Sequence, residues 1–294
     1  DLRMSRGLGD VYKRQLIDNR LSIIYLEQQR QTMRLQVLIA TYGVNGLRRT
    51  ASMSLPVIDG VSYLISCQNG EDAAPPVPQG LQRPDIRVIM TPGRGLCANR
   101  NRLLEAADAE YVLTADDDMS YTEAQLRAAL NSLGEADITA FRIEGAGDKP
   151  YPASPINLGQ GTPRGYCPSS VEIALRMDAI RRSGLHFCTL FGIGAPILGC
   201  GEEDILIWNA RRLGLRIEYK PIVIGRHTGG PSTGQRTPTP AVWRARGAVL
   251  RLTHPYSGWM RIVRQAMRAR SFAALRMMAA GAVYAVRHRG QIEL

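Results

Sequence analysis

The chain is short of several features that would settle its class at once. Its five cysteines (Cys67, Cys97, Cys167, Cys188, Cys200) are odd in number, widely spaced and without a Cys-x-x-Cys pair. That excludes a disulfide framework and a cysteine zinc site, and it suits reduced cytosolic thiols. No stretch reaches the roughly 18 consecutive apolar residues of a membrane span, and no signal-peptide pattern is evident. There is no internal repeat. The glycine-rich stretches match neither Gly-x-Gly-x-x-Gly nor a P-loop, so dinucleotide-binding and ATPase readings lose ground.

What is present is unevenly charged. The formal net charge is +11 over 294 residues. From Trp243 to Leu294 there are ten Arg and one Glu, and residues 1–32 hold six basic and four acidic side chains. Residues 33–242 are therefore near neutral. Nucleic-acid binding would want a basic patch on the folded body, so that class of partner is not expected. Length allows one large domain with an appendage.

Residues 1–15 look foreign, like a translated sequencing-adaptor tail, and belong outside fold reasoning. Residues 1–32 are expected to be a non-native or disordered leader, with Met33 a plausible true start. A genuine helix over Leu16 to Gln29 is the alternative. The body is expected over 33–242 and a basic, amphipathic helical tail over 243–294.

Within the body, short apolar strands alternate with helices. Strands are read at Leu35 to Tyr42, Val61 to Ser66, Ile86 to Met90, Tyr111 to Ala115, Ile138 to Ile143, Ser169 to Leu175 and Ile217 to Ile224. Helices are read at Leu47 to Leu55, Ala98 to Ala107, Ala124 to Leu133, Asp178 to Ser183 and Ile205 to Leu213. This order argues for an α/β fold with a mostly parallel sheet covered on both faces. Pro221 places the last strand at an edge.

The most informative stretch is Tyr111 to Met119, a buried strand running into Asp116, Asp117 and Asp118. Ligands bind beyond the carboxyl ends of strands in open α/β sheets. Three adjacent carboxylates repel one another and are poor stabilisers by themselves. A hard divalent cation takes one or two carboxylates and leaves its other positions to water and phosphate oxygens. Helix capping, worth about 1 kcal/mol, is the plainer role. But the next helix has its own capping box in Thr122 and Gln125. A second acidic group, Glu202, Glu203 and Asp204, stands at a helix start after a glycine-rich loop. There it could serve the helix dipole, for up to about 1 kcal/mol, or line a ligand site. Arg100 could be a solvated helix residue or a phosphate contact, and His227 a surface residue or a metal neighbour. Phe191 and Trp208 read as core. Ser232 and Thr233, in a second glycine-rich loop, could close over a diphosphate or form a plain linker.

Taken in order, these segments resemble a family 2 glycosyltransferase of the GT-A fold, of the bacterial polysaccharide type, over roughly Arg34 to Thr233. Ala40-Thr41-Tyr42 resembles the family's Pro-Thr-Tyr turn beside the nucleotide base, with Ala40 for the proline and Gly43 for the usual Asn. Cys67-Gln68-Asn69 stands where the family carries an acidic base contact. Asn99-Arg100-Asn101 resembles its Ala-Arg-Asn helix start. Asp116 to Asp118 resembles its Asp-x-Asp motif, and Glu203-Asp204 its Glu-Asp motif.

That resemblance implies a Rossmann-like single domain and an inverting transfer from a nucleotide-sugar, a UDP-sugar being the expected donor. The acceptor would be a saccharide or a lipid-linked one. Thr41, Tyr42, Asn69, Arg100, Asp116 and Asp117 would hold the donor. Asp116, Asp118 and His227 would hold Mn²⁺ or Mg²⁺. Asp204 would be the general base, with Glu203 beside it. A sugar nucleotidyltransferase and an inactive scaffold of the same fold are the competing readings. The tail places Trp259, Ile262, Val263, Ala266 and Met267 on one helical face and Arg261, Arg264 and Arg268 on another. This pattern suits an anionic membrane surface. The expected location is cytoplasmic, with possible peripheral contact at the inner face of the membrane.

Overall fold

Strand β1 (Leu35–Tyr42) shows how the sheet is built. Successive side chains of a strand point to opposite faces. Leu35, Val37 and Ile39 enter one hydrophobic cluster, and Leu38 and Ala40 enter another. Both faces of the strand are therefore dry, which is why it reads as an unbroken apolar run. The computed structural model describes residues 34–70, 72–163, 165–229 and 238–294. The expected leader, Ser232 and Thr233 lie outside the described residues.

The remaining elements follow in chain order: α1 (Gly43–Ala51), β2 (Val61–Gln68), β3 (Ile86–Thr91), α2 (Leu96–Ala106), β4 (Tyr111–Asp116), β5 (Met119–Ser120) and α3 (Glu123–Ser132). Then come β6 (Ile138–Glu144), β7 (Ile156–Asn157), β8 (Ile173–Arg176), α4 (Met177–Ser183), α5 (Glu202–Arg212) and β9 (Ile217–His227). The helical tail is α6 (Pro240–Thr253), α7 (Gly258–Arg268), α8 (Phe272–Arg287) and α9 (Arg289–Ile292).

The sheet order is β3-β2-β1-β4-β8-β6-β9-β5, with β7 beside β9. Strands β3, β2, β1 and β4 run parallel, as do β6 and β9. Antiparallel pairings come from β8 and the two-residue strands β5 and β7. The α/β sheet expected from the sequence is thus present, but it is mixed and not mostly parallel: four strand pairings are parallel and four antiparallel, because β8, β5 and β7 enter it in the reverse direction. Helices α1 and α3 cover one face, and α2, α4 and α5 cover the other. The capping box at Thr122 and Gln125 closes both of its hydrogen bonds.

The expectation that Pro221 marks an edge strand holds at the proline and not for the strand as a whole. Strand β9 stands between β6 and β5 in the sheet order, but its outer side pairs only at Glu218 and Tyr219 with β7 and at Arg226 and His227 with β5. Its register against β6 slips between Tyr219 and Val223, and Pro221 sits in that slip. A proline costs no ladder bond at an irregularity.

The tail packs on the body through α5. A third cluster joins Phe191, Leu198 and Ile205 to Ala245, Ala248, Leu252 and Ala285. Asn209 Nδ2 donates to the Ile292 carbonyl at 2.7 Å. Helices α6 and α8 cross in near contact because glycines stand at the crossing. A Cβ on Gly247 would lie 2.0 Å from the Met278 carbonyl oxygen, and one on Gly281 would lie 1.9 Å from that of Arg244. The five cysteines are free thiols.

Candidate active site

From β1 the chain moves outward to β2 and β3 before returning to β4 on the other side of β1. The crevice between the carboxyl ends of β1 and β4 is therefore the switch point of the sheet, where open α/β folds bind ligands. Register sets Ala40 beside Asp116 and Thr41 beside Cys67. Thr41, Tyr42 and the three aspartates thus converge on one crevice, and Asn69 follows directly at the end of β2.

The three aspartates have three different surroundings. Asp116 ends β4 and accepts from Arg100 Nη2 at 2.9 Å. Asp117 turns back toward α1, where it takes the Thr41 hydroxyl and Arg49 Nη2 at 2.8 Å. Asp118 lies 3.1 Å from His227 Nε2, because β5 pairs Met119 with His227. Its backbone carbonyl accepts from the Thr228 amide at 2.8 Å and the Thr228 hydroxyl at 2.7 Å. Burial pushes the Asp118 carboxyl up, His227 draws it down, and the charges of Asp116 and Asp117 push it up again.

The Asn-Arg-Asn turn of α2 is the hinge of the site. Successive helical residues point about 100° apart, from 3.6 residues per turn, so three neighbours reach three places. Asn99 Nδ2 donates to the carbonyls of Thr41 at 3.1 Å and Ser66 at 3.0 Å, tying the ends of β1 and β2. Asn101 exchanges two hydrogen bonds with the Phe187 backbone, 2.9 and 2.8 Å.

Arg100 is not a solvated helix residue. Its side chain is only 2% exposed and reaches Asp116 at 2.9 Å, Glu202 at 3.5 Å, Glu203 at 3.9 Å and the Ser170 hydroxyl at 2.6 Å. Burial works against its charge, but the carboxylates of Asp116, Glu203 and Glu202 outweigh it and raise its pKa. The guanidinium therefore joins the aspartate-rich end of β4 through Asp116 to the acidic helix start through Glu202 and Glu203.

That helix, α5, begins at Glu202 after Gly201 in a left-handed turn. Glu202 is buried, and burial followed by the charge of Glu203 pushes it up to about 8 against the pull of Arg100. Glu203 accepts from the Ser170 amide at 3.2 Å. Asp204 accepts from the Cys167 thiol at 3.1 Å. Burial raises Asp204, the Cys167 hydrogen bond lowers it, and Glu203 raises it again. A carboxyl raised this way is a stronger base once ionised.

Three contributors were not singled out in the sequence. Cys167 and Ser170 approach from the loop before β8. Lys149, which lowers Asp204 through space, is held by the fully buried Glu172 at 2.6 Å. Lys149 and Cys167 sit in or beside a stretch readable only as a loop, and Ser170 lies in the segment read as a strand from Ser169, where the structure has a 3-10 turn at Ser170–Glu172 before β8; no local spacing marks the three. Tyr42 is half-exposed, with the Arg94 guanidinium 4.8 Å above its ring and Arg94 Nε donating to its hydroxyl at 2.7 Å. Phe191 is buried and Trp208 packs beside the same cluster, as expected for core.

Among the described residues, no group of three or more His, Cys, Asp or Glu side chains is drawn together to hold a metal ion alone. Magnesium and manganese ask less, namely one or two carboxylates with phosphate and water oxygens completing the shell. Asp118 Oδ1 is buried without a partner. Opposite it the backbone of Gly229 is bare, and a Cβ there would stand 2.1 Å from Asp118 Oδ2. These residues fit a cation that shares its shell with a diphosphate.

A parallel half-sheet with an acidic strand end at its switch point, joined to a second acidic helix start, makes this an α/β domain with a candidate site at the carboxyl edge of its sheet. Residues 68–183 match the model of glycosyl transferase family 2. The matched region includes Asn99 to Asn101 and Asp116 to Asp118, and it ends before Glu203, Asp204 and His227.

No curated protein matches the chain. Similar solved structures include residues 1–349 of S. aureus TarS, at 16% identity and TM-score 0.49, covering 75% of this chain and 64% of that one. The same TarS fragment in complex with UDP-GlcNAc gives 16% identity and TM-score 0.48, covering 74% and 66%. The mannosyltransferase PcManGT of Pyrobaculum calidifontis, in complex with GDP-Man and Mn²⁺, gives 15% identity and TM-score 0.47, covering 86% and 75%. The chain spans less than two thirds of the length of the first of these, and none specifies a substrate for it.

Proposed function

We propose that the protein is an inverting, metal-dependent glycosyltransferase. It takes a sugar from a nucleotide-sugar, a UDP-sugar being the expected donor, and passes it to a saccharide or lipid-linked acceptor in surface or extracellular polysaccharide synthesis. The observation that carries this reading is the Arg100 bridge, which brings Asp116 and Glu203 onto one guanidinium. It sets the aspartate-rich strand end and the Glu-Asp helix start on two sides of one crevice.

The donor would lie with its base at Thr41, Tyr42 and Asn69 and its diphosphate toward Asp116 and Asp118. A divalent ion held by Asp118, with Asp116 and His227 beside it, would supply positive charge for the leaving diphosphate. Asp204 accepts the proton of the acceptor hydroxyl as that oxygen attacks the anomeric carbon. The new carbon–oxygen bond forms as the bond to the diphosphate breaks, and the electron pair leaves with the nucleoside diphosphate. One such displacement inverts the anomeric centre. Arg100 holds Asp116, and Asp117 braces the turn against α1 through Thr41 and Arg49.

The nucleotidyltransferase alternative would want a glycine-rich basic loop after β1. In its place helix α1 starts at Gly43, and its Arg49 is engaged by Asp117. A transferase held peripherally at the inner face of the membrane would meet lipid-linked acceptors there.

The test uses the full chain with Mn²⁺ or Mg²⁺ against a panel of nucleotide sugars, following release of the nucleoside diphosphate. Release from one donor, lost on chelation and in Asp118→Asn, and strongly reduced in Asp204→Asn, is expected. No release from any donor, with no metal-dependent UDP binding, would leave the fold as a scaffold.

A further inference from the structure

We propose that α7 and the turn after it form a docking face for an anionic lipid bilayer. The sequence pattern put Trp259, Ile262, Val263, Ala266 and Met267 on one face, and the structure divides them. Gly258, Ile262 and Ala266 are buried, with Ile262 sharing a cluster with Met278 and Ala282 of α8. Trp259, Met260, Val263 and Met267 face outward, Met260 at 69% and Met267 at 73% exposure. Phe272, at the start of α8, is 75% exposed.

The apolar side chains are bordered by cations. Arg261, Arg264 and Arg268 follow round the helix, and Arg264, Arg268 and Arg270 line one open groove of about 720 Å³ with Met260, Val263 and Met267. Arg270 holds a left-handed backbone, φ 48°. Glycine would sit there without strain, yet the position carries a guanidinium beside the groove.

The occupant follows from charge and from apolar exposure together. No Asp or Glu occurs between Glu218 and Glu293. A second copy would bring the same arginines against this face and be repelled. A nucleic acid would pair with the arginines and leave the methionines, Trp259 and Phe272 in water. A bilayer interface takes both: apolar side chains sink to the acyl boundary while Arg heads rise to the phosphates. No helix among the described residues is long and apolar enough to cross a membrane, so the contact is one of lying on the surface.

The test is flotation of the full chain with vesicles of phosphatidylcholine alone, or with phosphatidylglycerol added, in the absence of donor and metal. Binding is independent of turnover, so its failure leaves the transferase reading standing, and the reverse also holds. Binding to the anionic vesicles only is expected, with weakening at high salt. Arg264→Gln with Arg268→Gln should weaken it by roughly fivefold per arginine. Met260→Ser with Met267→Ser should weaken it as well, with unfolding midpoints unchanged because all four side chains are exposed. Equal binding to both vesicle types, no binding, or binding indifferent to both double variants would overturn the proposal. A dimer that dissociates in Met260→Ser with Met267→Ser would also overturn it and hand the face to a second copy.

Discussion

The Cys167 thiol donates to Asp204 Oδ1 across 3.1 Å. The two residues are 37 positions apart and meet because the loop before β8 folds over the start of α5. The bond steadies the ionised carboxylate against burial. In the proposed reaction it sets both the position and the basicity of the group that takes the acceptor proton.

Cys167→Ala should therefore raise the Asp204 pKa and move the acidic limb of the kcat profile to higher pH. A hydrogen bond to a charged group is worth about 1.5–3 kcal/mol, so turnover near neutral pH should fall about tenfold or more. Cys167→Ser keeps a donor and should restore most of it. Steady-state rates across pH check this, and an unmoved acidic limb in Cys167→Ala would count against Asp204 as the base.

Arg100 is the stability prediction. Arg100→Met leaves Asp116, Glu202 and Glu203 without their shared cation, and breaking a buried ion pair in this way costs about 3–5 kcal/mol. Arg100→Lys keeps the charge but has no fork to span Asp116 and Glu202 together, so its loss should be smaller and donor binding should still weaken. Denaturant unfolding and nucleotide titration measure the two effects. A wild-type midpoint for Arg100→Met would remove the bridge from the argument.

Glu202 makes stability depend on pH. Its folded pKa, about 8, lies above its ordinary 4.5. Between those values the folded state holds a proton that the unfolded state has released. Stability is then full at low pH and is lost as pH rises through that window. Asp118 and Asp204, also raised, add the same sign. Glu202→Gln should flatten the decline between about pH 5 and 8, read from unfolding midpoints across pH.

The aspartates should separate by role. Chelation or Asp118→Asn should abolish release of the nucleoside diphosphate. Asp117→Asn should keep metal dependence and cost about 1 kcal/mol or less, since Arg49 is largely exposed. Gly229→Ala should behave like Asp118→Asn, because its Cβ would meet the Asp118 carboxylate. Metal titrations of all three, followed by UDP binding, distinguish these outcomes. Intact metal-dependent binding in Asp118→Asn would place the cation elsewhere.

Much of this was legible in the chain itself. Strands buried on both faces, such as β1 and β4, declare themselves as apolar runs. Helix α3 carries its own start signal in Thr122 and Gln125, and Gly201 precedes the helix that begins at Glu202. Asp116 to Asp118 and Glu203-Asp204 stand out because clustered carboxylates need a reason to be there. Those are local properties, governed by side-chain period, capping and charge within a few residues. Tertiary structure alone decided the partners. It put Arg100 in a buried bridge, turned Asp117 away from Asp118, brought Cys167 to Asp204, set Pro221 in a register slip of β9 and parted the apolar residues of α7 between core and surface. Each of these depends on which distant segment packs against the residue, and a guanidinium or thiol carries no mark in the sequence of the carboxylate it will meet.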